Sequence, residues 1–74
     1  MVKNVRSELG ERFKKVRISM DMNKKEFATL IGIPDQNLGR IEKGTLGLSV
    51  DRFLSILNKL DKRHQYYLVF GEKL

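Results

Sequence analysis

A polar strip in the middle of the chain has the chemistry that reads nucleic-acid bases. Arginine can donate two hydrogen bonds to guanine, and glutamine or asparagine can pair with adenine. If residues 35–43 are helical, a rotation of about 100° per residue places Gln36 and Arg40 outward, opposite Leu38 and Ile41. Each good bidentate base contact contributes ~1–3 kcal/mol of discrimination. The spacing therefore predicts a base-reading surface, and an ordinary solvated helix face is the alternative.

Four neighbouring residues modify this picture. Asn37 lies on the flank of the strip and adds a second amide, while Lys43, near the end, is better placed for a phosphate. Asp35 either stabilises the helix N-terminus, which we favour, or accepts a hydrogen bond from cytosine. Gly39 costs an exposed helix ~1 kcal/mol relative to alanine. Close approach of the helix backbone to DNA would explain Gly39, and neutral drift is the alternative.

Local signals define the two helices that must position this strip. Asn23 followed by Glu26 is a capping-box pattern, which begins a helix. Gly32 stands where a helix end requires positive φ, and Pro34 stops that helix and fixes φ at the entry to the next. The pattern predicts a helix-turn-helix over about residues 23–44, whose second helix enters the DNA major groove.

Apolar residues at helical spacing predict two further long helices. The first runs from about Asn4 to Met20, and its opposite face, which carries Arg12, should be solvated. The other runs from about Val50 to Leu60. The residues expected to face inward on these two helices are Val5, Leu9, Phe13, Val16, Met20, Val50, Phe53, Leu54, Leu57 and Leu60. The predicted fold class is all-α, a compact bundle of four to five helices.

The apolar tail can be a strand or a helix. Residues 66–70 favour a strand by propensity, yet five residues can equally form a short helix. A strand would need a partner across a dimer, because an unpaired apolar edge invites aggregation. We expect a short fifth helix, treat residues 62–74 as a candidate dimerisation element, and place His64 at the surface.

Composition narrows the function classes. The 74 residues fit one domain, 1–74, and carry a net charge of +6, which suits contacts with polyanions. The chain has no cysteine, only one histidine and no motif that positions a nucleophile or a carboxylate pair, so we expect no enzyme, metal site or cofactor. No apolar run approaches the ~18 residues that span a bilayer, and no signal peptide is evident. A cytoplasmic protein without a membrane partner is expected.

The segment LGERFKKVR…NKKEFATLIGIPDQNLGRIEKG resembles the Cro and phage-repressor type of helix-turn-helix, known as the XRE family. The resemblance covers about residues 8–60. The residues that stand at the family's spacings are Leu9, Gly10, Arg17, Phe27, Ala28, Gly32, Ile33, Leu38, Ile41, Glu42 and Gly44. It implies a lambda-repressor-like bundle that dimerises on a pseudo-palindromic operator.

The resemblance also implies roles for individual residues. Arg17 and Glu42, which helical wheels place at the edge of the core, match the family's interhelical ion pair. It implies that Asn23 and Lys24 contact the DNA backbone. The positions that it implies for contacts with the bases are Asp35, Gln36, Asn37 and Arg40. Pro34 replaces the usual Ser or Thr cap of the second helix, and Leu48 replaces a frequent proline.

Two functions compete. The leading one is a sequence-specific regulator of transcription that binds double-stranded DNA, a bacterial or phage repressor acting as a homodimer on a palindromic operator. The alternative is an antitoxin or adaptor whose main partner is another protein, such as a toxin, with DNA binding secondary. The apolar tail supports the alternative, although dimerisation explains it equally well.

Overall fold

Five helices make up the protein in the computed structural model, which describes residues 4–72. They are α1 (Val5–Ser19), α2 (Lys24–Ile31), α3 (Asp35–Glu42), α4 (Val50–Leu57) and α5 (Lys62–Phe70). The described residues contain no strand, so the all-α prediction is confirmed and the tail is a helix. None of the helices within residues 4–72 has the length and apolar character needed to cross a membrane.

Side-chain caps begin four of the five helices. Asn23 and Glu26 form the predicted capping box at α2: the Glu26 N–H donates to Asn23 Oδ1 at 2.8 Å, and the Asn23 N–H donates to Glu26 Oε1 at 3.0 Å. The other three side-chain caps are Asn4 at α1, Ser49 at α4 and Asp61 at α5. Each accepts a backbone N–H of the first turn, which would otherwise lack an intrahelical partner.

The turn between α2 and α3 follows the prediction closely. Gly32 has φ +77°, and its N–H donates to Ala28 O at 2.9 Å and Thr29 O at 3.3 Å. The N–H of Ile33 also donates to Ala28 O, at 3.0 Å, which completes a Schellman motif. Pro34 occupies the N-cap position of α3 with extended backbone and no side-chain cap. These contacts set the direction in which α3 leaves α2.

The core lies beneath α3. Helix α1 packs mainly on α3 and α5, and α2 packs on α3, so two helices hold α3 in place. The Phe13 and Phe53 rings pack edge to face, with centroids 6.4 Å apart. The largest fully buried side chains are Phe13, Phe27, Ile31, Leu38, Ile41, Ile56, Leu68 and Val16. Helix α3 is therefore anchored through its inner face.

Helix α4 differs from its prediction in length and in orientation. It ends at Leu57, and the Gln65 side-chain amide donates to Leu57 O at 2.7 Å and to Leu60 O, just beyond the helix, at 2.8 Å. Its inward face is centred on Ile56, which is fully buried and was not among the predicted core residues. Val50 and Leu54, which were predicted inward, are exposed.

Two polar residues predicted at the surface instead join α1 to α5. Arg12 Nη1 donates to Leu68 O at 3.2 Å and Val69 O at 3.1 Å, so it caps the C-terminus of α5. His64 is buried, with its Nδ1 2.7 Å from Asp61 Oδ1 and its Nε2 3.2 Å from Ser19 Oγ. Both expectations were wrong because helical periodicity within one segment does not show which distant groups pack against it.

One further prediction for α1 was wrong. Val5 was predicted inward but is exposed, since it is the first residue of α1.

The pKa of Asp61 lies below its ordinary value. The main cause is that its carboxylate accepts the backbone N–H of His64, and a smaller one is that the His64 ring lies beside it. The carboxylate thereby holds both the backbone and the ring at the start of α5.

Candidate nucleic-acid interface

The outer face of α3 presents the predicted polar strip to solvent. Leu38 and Ile41 are fully buried, whereas Gln36 and Arg40 on the opposite side are exposed. Asp35 and Lys43, at the two ends of the strip, are also exposed. The strip is therefore free to meet a ligand, with no neighbouring element within residues 4–72 packed over these four side chains.

Asn37 is placed differently from the rest of the strip. It is half-buried and lines a crevice with Ile33 and Ile41, on the side of α3 that faces the loop before α4. The structure thus separates Asn37 from the outward-facing Gln36 and Arg40. Its role as a base reader stays a prediction.

Gly39 has open space around it. A Cβ atom added at Gly39 would meet no neighbouring atom within 4 Å outside its own helix backbone. Its φ is also not in the left-handed region that favours glycine. Neither packing nor backbone conformation within the described protein therefore explains this glycine.

The start of α2 offers a second polar position beside the strip. Asn23 and Lys24 are both exposed. The carbonyl oxygen of the Asn23 side chain is used in the cap, but its amide nitrogen has no hydrogen-bond partner within residues 4–72. An exposed amide and an exposed ammonium next to a helix N-terminus suit a DNA phosphate, because both donate hydrogen bonds to oxygen.

An ion pair ties the end of α3 to α1. Arg17 Nε lies 2.8 Å from Glu42 Oε2, and Arg17 Nη2 lies 3.2 Å from Glu42 Oε1, which is a bidentate pair. The exposed fractions of the two side chains are only 12% and 4%. Arg17 Nη1 also donates to Met22 O at 3.1 Å in the turn that leads to α2. One guanidinium therefore fixes α1, the entry to α2 and the end of α3.

Gly10 is a positioning residue whose structural role sequence reasoning missed. It is buried where α1 crosses α3, and an added Cβ would overlap the carbonyl oxygen of Ile41 and lie 2.8 Å from that of Glu42. The signal was a glycine inside a predicted amphipathic helix, which carries an energetic cost unless another backbone needs the space. The absence of a side chain allows the backbones of the two helices to touch.

Comparison with known proteins agrees with this geometry. A family model described as helix-turn-helix matches residues 13–67, which is most of the chain and includes all of α2, α3 and α4. The chain has no match among curated proteins or among solved structures. The extent of the family match confirms the resemblance noted from the motif residues. The chain belongs to the XRE-type helix-turn-helix family of DNA-binding transcription regulators.

Proposed function

We propose that this regulator is a repressor that reads its operator with α3. The observation that carries the proposal is the division of α3 into two faces: Leu38 and Ile41 are fully buried, while Gln36 and Arg40 are exposed. A helix that reads the major groove needs both faces, because the buried one fixes its orientation and the exposed one meets the base edges. The protein represses by occupying a promoter and excluding polymerase.

The proposed contacts divide into base-reading and backbone contacts. Arg40 and Gln36 point outward and read bases in the groove, whereas Asp35, in the first turn, acts mainly on the helix dipole. Lys43 at the end of α3 and the Asn23–Lys24 pair at the start of α2 hold the DNA backbone, which positions α3 without reading sequence.

The two kinds of contact predict different mutant behaviour. Arg40→Ala should reduce the ratio of specific to random-DNA affinity about tenfold or more, because it removes a contact that contributes ~1–3 kcal/mol of discrimination. Lys24→Ala should weaken binding to both DNAs alike and make it less salt-dependent. Titrations of fluorescent specific and random duplexes at several salt concentrations measure both. An equal loss on the two DNAs for Arg40→Ala would show that Arg40 does not read bases.

An exposed apolar patch on α5 supports the dimer in the proposal. Tyr66 and, one turn later, Val69 and Phe70 are exposed on one side of the helix, and the centroids of the Tyr66 and Phe70 rings are 4.7 Å apart. The opposite side of α5 contributes Tyr67 and Leu68 to the core, so the patch is held rigidly on the bundle. We assign the patch to self-association, since a dimer would present two copies of α3 to the two half-sites of a palindromic operator.

Phe70→Glu should abolish the dimer and leave the monomer folded, because the Phe70 side chain is 59% exposed and contributes little to the core. Sedimentation velocity over a range of protein concentrations measures the change. Ile18→Glu is the matched control, since Ile18 is 57% exposed but lies on α1. A wild-type protein that stays monomeric at every concentration would remove the dimer from the proposal and leave the patch to another protein.

A further inference from the structure

A cavity of about 200 Å³ lies behind the recognition helix, between α3 and the loop that leads to α4. Its walls are partly aliphatic and partly polar. The aliphatic side chains are Ile33, Ile41, Leu46 and Leu48, and the polar ones are Asn37, Ser49 and Arg52. The main helix contacts of α3 are with α1 and α2, so the cavity occupies its less tightly packed side.

Two of the polar groups have no partner within residues 4–72. The guanidinium of Arg52 makes no hydrogen bond or ion pair. Only the backbone N–H of Arg52 is used, and it donates to Ser49 Oγ at 3.1 Å. The half-buried amide of Asn37 also has no hydrogen bond. Both groups reach solvent: Arg52 is exposed, and no fully buried side-chain nitrogen or oxygen within residues 4–72 lacks a hydrogen bond. Both groups are therefore available to a ligand in this cavity.

The lining favours a ligand with one anionic end and one apolar end. A guanidinium binds a carboxylate through two parallel hydrogen bonds, and the Asn37 amide can donate another. The four aliphatic walls suit a compact branched or aromatic body, and a cavity of roughly 150 Å³ is known to hold benzene. We propose that this cavity binds a small carboxylic acid with such an apolar body, its carboxylate on Arg52.

A ligand there would act on the recognition helix directly. Asn37 and Ile41 belong to α3, whereas Leu46, Leu48 and Ser49 belong to the loop, so a bound molecule bridges the two. It changes the position or rigidity of α3 and hence the DNA affinity. This second step, unlike the binding itself, rests on the proposed function.

Arg52 could instead contact a DNA phosphate. That contact would use the cation but not the aliphatic walls, because a phosphate has no apolar part to place against Ile33, Leu46 or Leu48. The combination of an unpaired cation with the aliphatic part of the cavity wall favours the carboxylic acid. A titration without DNA, with an uncharged analogue of the acid as the control, distinguishes the two ligands.

The binding step is tested without DNA, on the full chain labelled with ¹⁵N. Isovalerate and benzoate are titrated in separate NMR experiments, with isovaleramide as the uncharged analogue. Saturable amide shifts are expected at Asn37 and residues 46–49, with affinity at least tenfold weaker for the amide and for Arg52→Gln. Arg63→Gln, a substitution of an exposed arginine on α5, should bind like the wild type.

Several results would overturn the proposal. They are the absence of saturable shifts with either acid, equal binding of acid and amide, or unchanged binding by Arg52→Gln. Loss of DNA affinity in Arg52→Gln without any acid binding to the wild type would assign Arg52 to phosphate. If the acids bind, saturating isovalerate should change the DNA affinity several-fold in the wild type only, and an unchanged affinity would exclude the coupling to α3.

Discussion

Gly10→Ala is expected to lower the free energy of unfolding by roughly 3 kcal/mol, because overpacking a tight contact typically costs 1–3 kcal/mol or more. The added Cβ would overlap the carbonyl oxygen of Ile41 and approach that of Glu42. Both obstacles are backbone atoms, so no side-chain rotation can relieve the overlap, and α1 and α3 must move apart. Urea denaturation monitored by circular dichroism measures the change.

Gly39→Ala is the matched control for this experiment. It makes the same chemical change inside a helix, but the new Cβ meets no neighbouring atom within 4 Å. Alanine should therefore stabilise α3 by ~1 kcal/mol through its better helix propensity. A Gly10→Ala protein as stable as the wild type would contradict the close α1–α3 crossing.

Arg17→Gln is expected to destabilise the fold by about 3 kcal/mol, since breaking a buried ion pair leaves an uncompensated charge. The Glu42 side chain is only 4% exposed and would lose both hydrogen bonds to the guanidinium. The contact of Arg17 with Met22 O in the turn before α2 would be lost as well. Denaturation of the single variant measures the total loss.

The double variant Arg17→Gln with Glu42→Gln separates the pair from its surroundings. Two neutral amides leave no buried charge, so the double variant should be more stable than Arg17→Gln alone. A double-mutant cycle gives the interaction energy of the two side chains. If the two single effects simply add, the ion pair does not hold the end of α3 to α1.

The helix-turn-helix could be predicted from sequence because local rules determine its turn. Asn23 and Glu26 form a cap over four residues, Gly32 permits the positive φ of a helix end, and Pro34 fixes its own φ. None of these signals depends on a distant part of the chain. For the same reason the exposure of Gln36 and Arg40 followed from the period of the helix once Leu38 and Ile41 were taken as buried.

Features that depend on contacts between distant segments could not be predicted in this way. His64 was placed at the surface because its neighbours Lys62 and Arg63 are charged, yet it is buried and its ring contacts Ser19, 45 residues away. The inward side of α4 was misjudged because apolar residues occupy more than one of its faces. The cavity beside Asn37 depends on the path of the loop before α4, for which the sequence has no periodic signal.

Selection of bound sequences from a random duplex pool tests the central claim most directly. If α3 reads bases and the protein binds as a symmetric dimer, the wild type should enrich a palindrome with half-sites about one helical turn apart. Arg40→Ala should lose preference at particular positions of each half-site. Salt-sensitive binding to DNA without enrichment of any sequence would contradict the claim that the exposed face of α3 reads an operator.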